Sequence, residues 1–413
     1  MIVSGWTIRR GRSYEMDQNA PGVATVTLID TTGELDPSGS SYAFTPGTPG
    51  AIALHNPVTS TDATVFRGFV TRLAYDLYPT EDYAVATLEM VDGLDRLAKM
   101  QMFGGEGWGS VWGDFPRIGQ DGDVSFFADD QSNAVANRIN QILNQADWPG
   151  GLREIFSGNV SLLAGLYAYR TPALAALLDA ADAEFPGGVS RFYLQKDGRA
   201  TFHGRLARFF PDVAEYHISK WRSGDAAAVL ADSTRAPIFA LDYDVDGGKV
   251  INSALSTPRG IPDDLIDAQR VEDTASIADF GTQAVSFDDL LTAGDPDVGL
   301  GYGYTPFAPL ATKKFSEYYV DNRAQPATRI NRVRFRSLPS DAPGAARVWA
   351  VLCGCDISDI IRLKTTHQVG GFDEDLYVEG LSYTATSRGG SQMTDVQLDL
   401  DVSPRAYYDT NPF

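Results

Sequence analysis

The four histidines, His55, His203, His217 and His367, are scattered over four elements, and no pair has the spacing of a metal or catalytic couple. The sequence has no Gly-Xaa-Ser-Xaa-Gly elbow, no His-Glu-Xaa-Xaa-His helix and no phosphate loop ending in Gly-Lys-Ser/Thr. Gly299, Gly301 and Gly303 lie in a loop with no helix start behind them, so no nucleotide site is read there. With 54 acidic residues some carboxylate pair must be close in space, but nothing selects one as a glycosidase couple. No cofactor and no enzymatic role are expected.

Four groups could still bind something. Asp242, Asp244 and Asp246 with Gly247 mimic the start of a calcium loop, but Ser253 stands where the bidentate glutamate belongs. Period-two spacing makes the same aspartates the wet face of a strand whose dry face is Leu241, Tyr243 and Val245, and this reading is preferred. Cys353 and Cys355 are the two cysteines; on a strand they share a face, too close for an easy disulfide and too few for zinc. A buried, reduced pair is expected. Trp108 and Trp112 lie in the Gly-rich run GGEGWGSVWGDF. Such large side chains suit a local core or a subunit contact, with a carbohydrate platform as the sharper alternative. Arg332, Arg334 and Arg336 share one strand face. They fit DNA in a lumen or inter-subunit ion pairs, and on an acidic chain the ion pairs are preferred.

The elements that position these residues follow from composition and period. The chain has 413 residues, 43% of them apolar, with 40 glycines and 22 prolines. It is too long for one core and rich in turn residues, which favours many short strands. No run of eighteen apolar residues exists, so no membrane span is expected. The start MIVSGWTIRRGR places arginines after a very short apolar stretch, the reverse of a signal peptide. Thirty-four basic against 54 acidic residues give a net charge of −20, which repels nucleic-acid phosphate. A pipe through which DNA slides would use such negative walls, although solubility alone explains the same charge.

Residues 1–102 read as one β domain. Ala24, Val26 and Leu28 alternate with Val23, Thr25 and Thr27 before the turn at Asp30–Gly33; further strands cover 51–54, 64–77 and 83–90, and Leu94, Leu97 and Met100 mark a short helix. Residues 103–234 read as an α+β insert. One helix carries Val135, Ile139, Ile142 and Leu143, and a second starts at an N-cap Thr171 with Pro172 in the first helical position. A hairpin follows, whose Asp197-Gly198 turn calls for positive φ at both residues. Residues 235–413 read as a second β domain with an inserted helix and loop over 276–326. Two of its strands flank Asp246-Gly247-Gly248. The fold class is mainly β with α+β inserts.

Five stretches, in order, resemble the tail hub (minor tail) proteins of siphophage-type bacteriophages. They are GVATVTLIDTTGELDP; Phe66, Gly68, Asp92, Gly93, Leu94 and Leu97; Phe192, Tyr193, Asp197, Gly198, Phe202 and Arg205; the strand pair ending at Asn252 and Thr257 with Ser276–Thr282; and Asp359–Leu363 with LYVEGLSYTATSRGGSQMTDVQLDLDVSP. Tyr383 stands where the family commonly has histidine. The resemblance implies two tube-like β-barrel hub domains plus the insert. It implies a homotrimer whose six barrels sit under a hexameric tube ring. The implied partners are distal tail and tube proteins, the tape measure protein and tail fibres or tip proteins, with DNA only in passage. The implied location is the virion tail tip, after assembly in the host bacterial cytoplasm. The alternatives are a hexameric distal tail ring and, from another class, a tail-tip cell-wall or glycan hydrolase.

Overall fold

The computed structural model describes residues 2–39, 44–78, 83–102, 117–118, 124–126, 135–158, 160–163, 165–167, 170–209, 216–220, 235–293, 308–365, 371–387 and 395–408. Twelve strands form one sheet. The first five are β1 (Ile2–Gly11), β2 (Ala20–Asp30), β3 (Pro49–Asn56), β4 (Thr61–Leu77) and β5 (Ala84–Val91). The other seven are β6 (Tyr216–Lys220), β7 (Ala236–Pro237), β8 (Ala240–Val245), β9 (Thr328–Arg336), β10 (Ile360–Thr365), β11 (Asp373–Thr386) and β12 (Asp395–Pro404). Period two decides their faces: in β2, Ala24, Val26 and Leu28 are buried while Thr25 and Thr27 lie on the wetter side.

Strand β11 is the spine. One edge takes β12 from Leu376 to Thr386; the other takes β10 over Asp373–Tyr377 and then β1 over Gly380–Thr386. From β1 the sheet continues through β2, β5 and β4 to β3; from β12 it continues through β9 to β8; from β10 it continues through β6 to β7. The mainly β reading holds, but the two halves are joined by the pairing of β1 with β11. They also share one apolar interior, with Trp6, Phe66 and Met90 from the first half against Val333, Leu363 and Leu398 from the second.

Among the described residues neither half closes as a hydrogen-bonded tube, in contrast to the barrels expected. Strand β3 is an open edge, and β7 is too short to pair with β8 and ends in Pro237, which has no N–H to donate. Only Ile238 and Phe239 separate β7 from β8, so their ends lie within about 11 Å and the seven-strand row must curl back on itself.

Besides the short helices Leu206–Phe209, Asp263–Ile266 and Thr274–Phe280, the described helices include α1 (Gly93–Lys99), α2 (Val135–Gln145), α3 (Ala173–Glu184), α4 (Ala308–Arg323) and α5 (Ala345–Gly354). Helices α1, α2 and α3 pack with the hairpin Arg191–Leu194 and Ala200–His203 in a second apolar cluster. A third cluster joins Phe315, Tyr318 and Tyr319 of α4 to Phe185, Tyr377 and the small sheet of Ser253–Pro258, Arg270–Glu272 and Ala284–Leu290.

Several local expectations are corrected. Pro172 is itself the N-cap of α3. In the hairpin loop only Gly198 has positive φ, +84°, because Gln195 and Arg199 close a longer loop in which one left-handed residue suffices. Strand β8 and Ser253–Pro258 do not pair; a 3-10 turn at Gly247–Lys249 sends them to different sheets. Cys353 lies in the last turn of helix α5 and Cys355 caps it, since Val348, Val351, Leu352 and Cys355 recur at helical rather than strand spacing. Neither cysteine is in a disulfide, and both are buried, as expected.

The seam between the halves generates a test. Gly11 has φ +80°, and a Cβ there would lie 2.4 Å from the carbonyl oxygen of Glu379. Gly11→Ala is expected to lower unfolding stability in urea by about 2 kcal/mol or more. An unchanged midpoint contradicts the seam.

Candidate functional site

Strand β9 turns Arg332, Arg334 and Arg336 to one face, as its alternation requires. Their acids stand on β12 of the same chain rather than on another subunit. Arg332 Nη2 lies 2.8 Å from Asp401, Arg334 Nε 2.9 Å from Asp399 and Arg336 Nη2 2.7 Å from Asp395. Asp242 on β8 approaches Arg334 at 3.9 Å. These are cross-strand pairs, partly exposed on the arginine side and of modest worth, which fix the register of β9 on β12.

The same face continues across the seam. Register carries a row from Arg336 through Gln397, Thr384, Thr7, Thr25 and Glu89 to Arg72, crossing seven strands, or roughly 29 Å at the usual strand spacing. The adjacent row runs Arg334, Asp399, Ser382 and Arg9. Four arginines on this face (Arg72, Arg332, Arg334 and Arg336) pair with acids (Glu89, Asp242, Asp395, Asp399 and Asp401), Arg9 donates to Ser13 Oγ at 2.6 Å, and short hydroxyl side chains fill the middle. Most charges of this face are paired with one another, on a chain of net charge −20.

The calcium candidate does not assemble. Asp246 caps its own turn through Gly248 N–H at 2.9 Å, Asp242 faces Arg334, and Asp244 sits opposite Arg329. Among the described residues no three His, Cys, Asp or Glu side chains converge. The expected dry face of β8 is also corrected: Tyr243 and Val245 are 45% and 62% exposed, because β8 is the end of its row, where the Phe372 ring meets Tyr243 edge-on at 5.1 Å without burying it. Trp108, Trp112 and His367 lie outside the described residues. His203 Nδ1 lies 3.0 Å from Ser358 Oγ, but burial and the nearby Arg191 and Arg208 push its pKa down to about 3, leaving a weak base.

Sequence reading missed a buried ion core where the insert meets the sheet. Between Val378 and Gly380 the register of β11 slips, and the extra residue of this bulge is Glu379. Its Oε2 accepts from Arg12 Nε at 2.8 Å, Arg12 Nη2 at 2.7 Å, Arg191 Nη1 at 3.0 Å and Arg208 Nη2 at 3.1 Å; its Oε1 accepts from Ser403 Oγ at 2.6 Å. Burial pushes this carboxyl up, but Arg12, Arg208 and Arg191 outweigh it and hold it well below the usual carboxylate range. The rings of Tyr377 and Tyr408 stack on Arg208 at 4.1 and 5.0 Å. A second buried carboxylate, Glu15, holds Arg323 of α4 and Arg329 of β9.

Glu379→Gln leaves three buried guanidinium groups without their counter-charge, so a loss of roughly 3–5 kcal/mol in urea unfolding is expected. A loss below 1 kcal/mol contradicts the clamp. Asp182 behaves in the opposite sense, pushed up to about 7 by burial and by Asp179. Its unfolded value is about 3.9, so its burial weakens the fold progressively as pH rises from there to about 7, with the full loss above. Asp182→Asn should flatten that part of a stability–pH series, and an unaltered slope would refute the assignment.

No family model matches the sequence, and no curated protein does. Solved structures do share the architecture. The 43 kDa tail protein of prophage MuSo2 from Shewanella oneidensis aligns over 99% of this chain and 96% of its own, with a TM-score of 0.51 and 9% identity. The tail protein from Neisseria meningitidis MC58 aligns over 97% and 92%, with a TM-score of 0.52 and 10% identity. Across almost its whole length, the chain has the fold of these phage-type tail proteins.

Proposed function

We propose that the chain is a structural protein of a phage-type tail, the hub that joins the end of the tail tube to tip components and forms part of the channel through which DNA leaves. The observation that carries this reading is the fold likeness, which spans nearly all of both partners in each comparison. The wall offered to DNA is the hydroxyl-lined face across β4, β5, β2, β1, β11, β12 and β9. Arg72, Arg332, Arg334 and Arg336 are engaged by acids of the same chain, which leaves a passing phosphate chain few free cations to grip and no dense negative field to climb. This replaces the negative wall suggested by net charge alone.

Three copies about an axis would each contribute two curled halves of the sheet, giving six similar positions under a sixfold tube ring. The tape measure, distal tail proteins and fibres are the partners of such a ring. The chain works in this reading by geometry rather than by catalysis.

Light scattering on the purified chain tests the assembly. The mass of three copies of the 44.7 kDa chain is expected. Six copies would favour a distal tail ring, and a single copy at every concentration would contradict ring formation. A peptidoglycan zymogram should show no clearing, whereas clearing abolished by one carboxylate substitution would establish a tail-tip hydrolase.

A further inference from the structure

The ion core is out of balance. Three arginines, all 4% exposed or less, converge on the single carboxylate of Glu379. Arg12 spends its remaining N–H groups on the carbonyls of Asp17 at 2.9 Å and Gly188 at 3.0 Å. Arg208 has two tyrosine rings over its plane. Arg191 has the Tyr193 ring at 5.1 Å and gives only Nη1 to Glu379; its Nε and Nη2 have no hydrogen-bond partner among the described residues. The hydroxyl of the neighbouring Ser190, 2% exposed, is likewise without a partner.

These groups border a cleft of about 140 Å³ between the turn after β1 and the start of the hairpin, lined also by Arg12, Gly188, Asp17 and Asp182. Two carboxyls therefore oppose an anion there. Asp17 is exposed and screened by water, and burial keeps Asp182 largely protonated below about pH 7. Buried guanidinium N–H groups left unmatched cost more than exposed ones, so a ligand that pairs them gains what the protein itself leaves unmet.

We propose that this cleft binds a small inorganic anion, a halide or a phosphate-class oxyanion, on Arg191 Nε and Nη2 and Ser190 Oγ. The bound anion completes the counter-charge of the arginine cluster and ties the hairpin to the turn after β1. The site is independent of the channel reading and stands or falls without it.

The test uses the full chain at constant ionic strength, with gluconate, which is too large for the cleft, exchanged stepwise for chloride in one arm and for phosphate in the other. A saturating rise in Tm is expected in at least one arm, as mass action on a folded-state site requires. Which arm responds identifies the anion. Ser190→Ala keeps the Glu379 cluster intact and should weaken half-saturation about tenfold, the worth of one hydrogen bond to a charged group. Where the chloride arm responds, crystals grown with bromide should show an anomalous peak within hydrogen-bond distance of Arg191. Equal Tm in all three salts, an unchanged response in Ser190→Ala, or a responding chloride arm with a cleft holding water alone in the bromide map would each overturn the proposal.

Discussion

A single carboxylate on a strand bulge decides how this molecule holds together. Glu379 lies on the strand that joins the two halves of the sheet, at the point where its partner changes from β10 to β1. Its arginines come from the end of β1, from the insert hairpin and from the short helix Leu206–Phe209. One side chain therefore fixes four separated segments. Buried ion clusters of this kind add little net stability against an apolar replacement, but losing one member is costly, so their main effect is to fix one arrangement. Gly11 and Gly380 make the clamp possible: a Cβ on Gly11 would strike the backbone at Glu379, and one on Gly380 would strike the backbone of Arg12.

The clamp divides the sheet face into two regions. At the bulge end the insert covers the face and its charges are buried. Away from it the same face is open and carries hydroxyls and mutually paired ions. In the hub reading proposed above, a wide surface of hydroxyls and paired ions suits a passage, whereas a pocket of converging groups would signal chemistry. An apolar cleft of about 520 Å³, bordered by Trp6, Ile52, Leu54, Met90 and Trp349, lies on the opposite side with the shared core.

Much of the architecture was legible because it rests on period. Strands β2 and β5 follow strict alternation, β4, β11 and β12 alternate over most of their lengths, and helices α2, α3 and α4 follow the 3.6-residue stripe. The errors arise where long-range contacts decide. Cys353 and Cys355 were read at strand spacing although the apolar residues before them repeat as a helix. The arginines of β9 were given to another subunit because a sequence does not say which strand lies alongside. Strand β1 went unread, and with it the joint between the halves. The ion core did leave a trace: in β11 the inward apolar positions are even up to Val378 and odd from Leu381, a slip that requires one extra residue at Glu379-Gly380.

The location of the chain in an assembled particle tests the account most directly. Antibody raised against the purified chain, seen by electron microscopy on tailed particles that contain it, should mark the tip end of the tail tube. Label spread along the tube, label at the head, or a chain that copurifies with no tailed particle would contradict it.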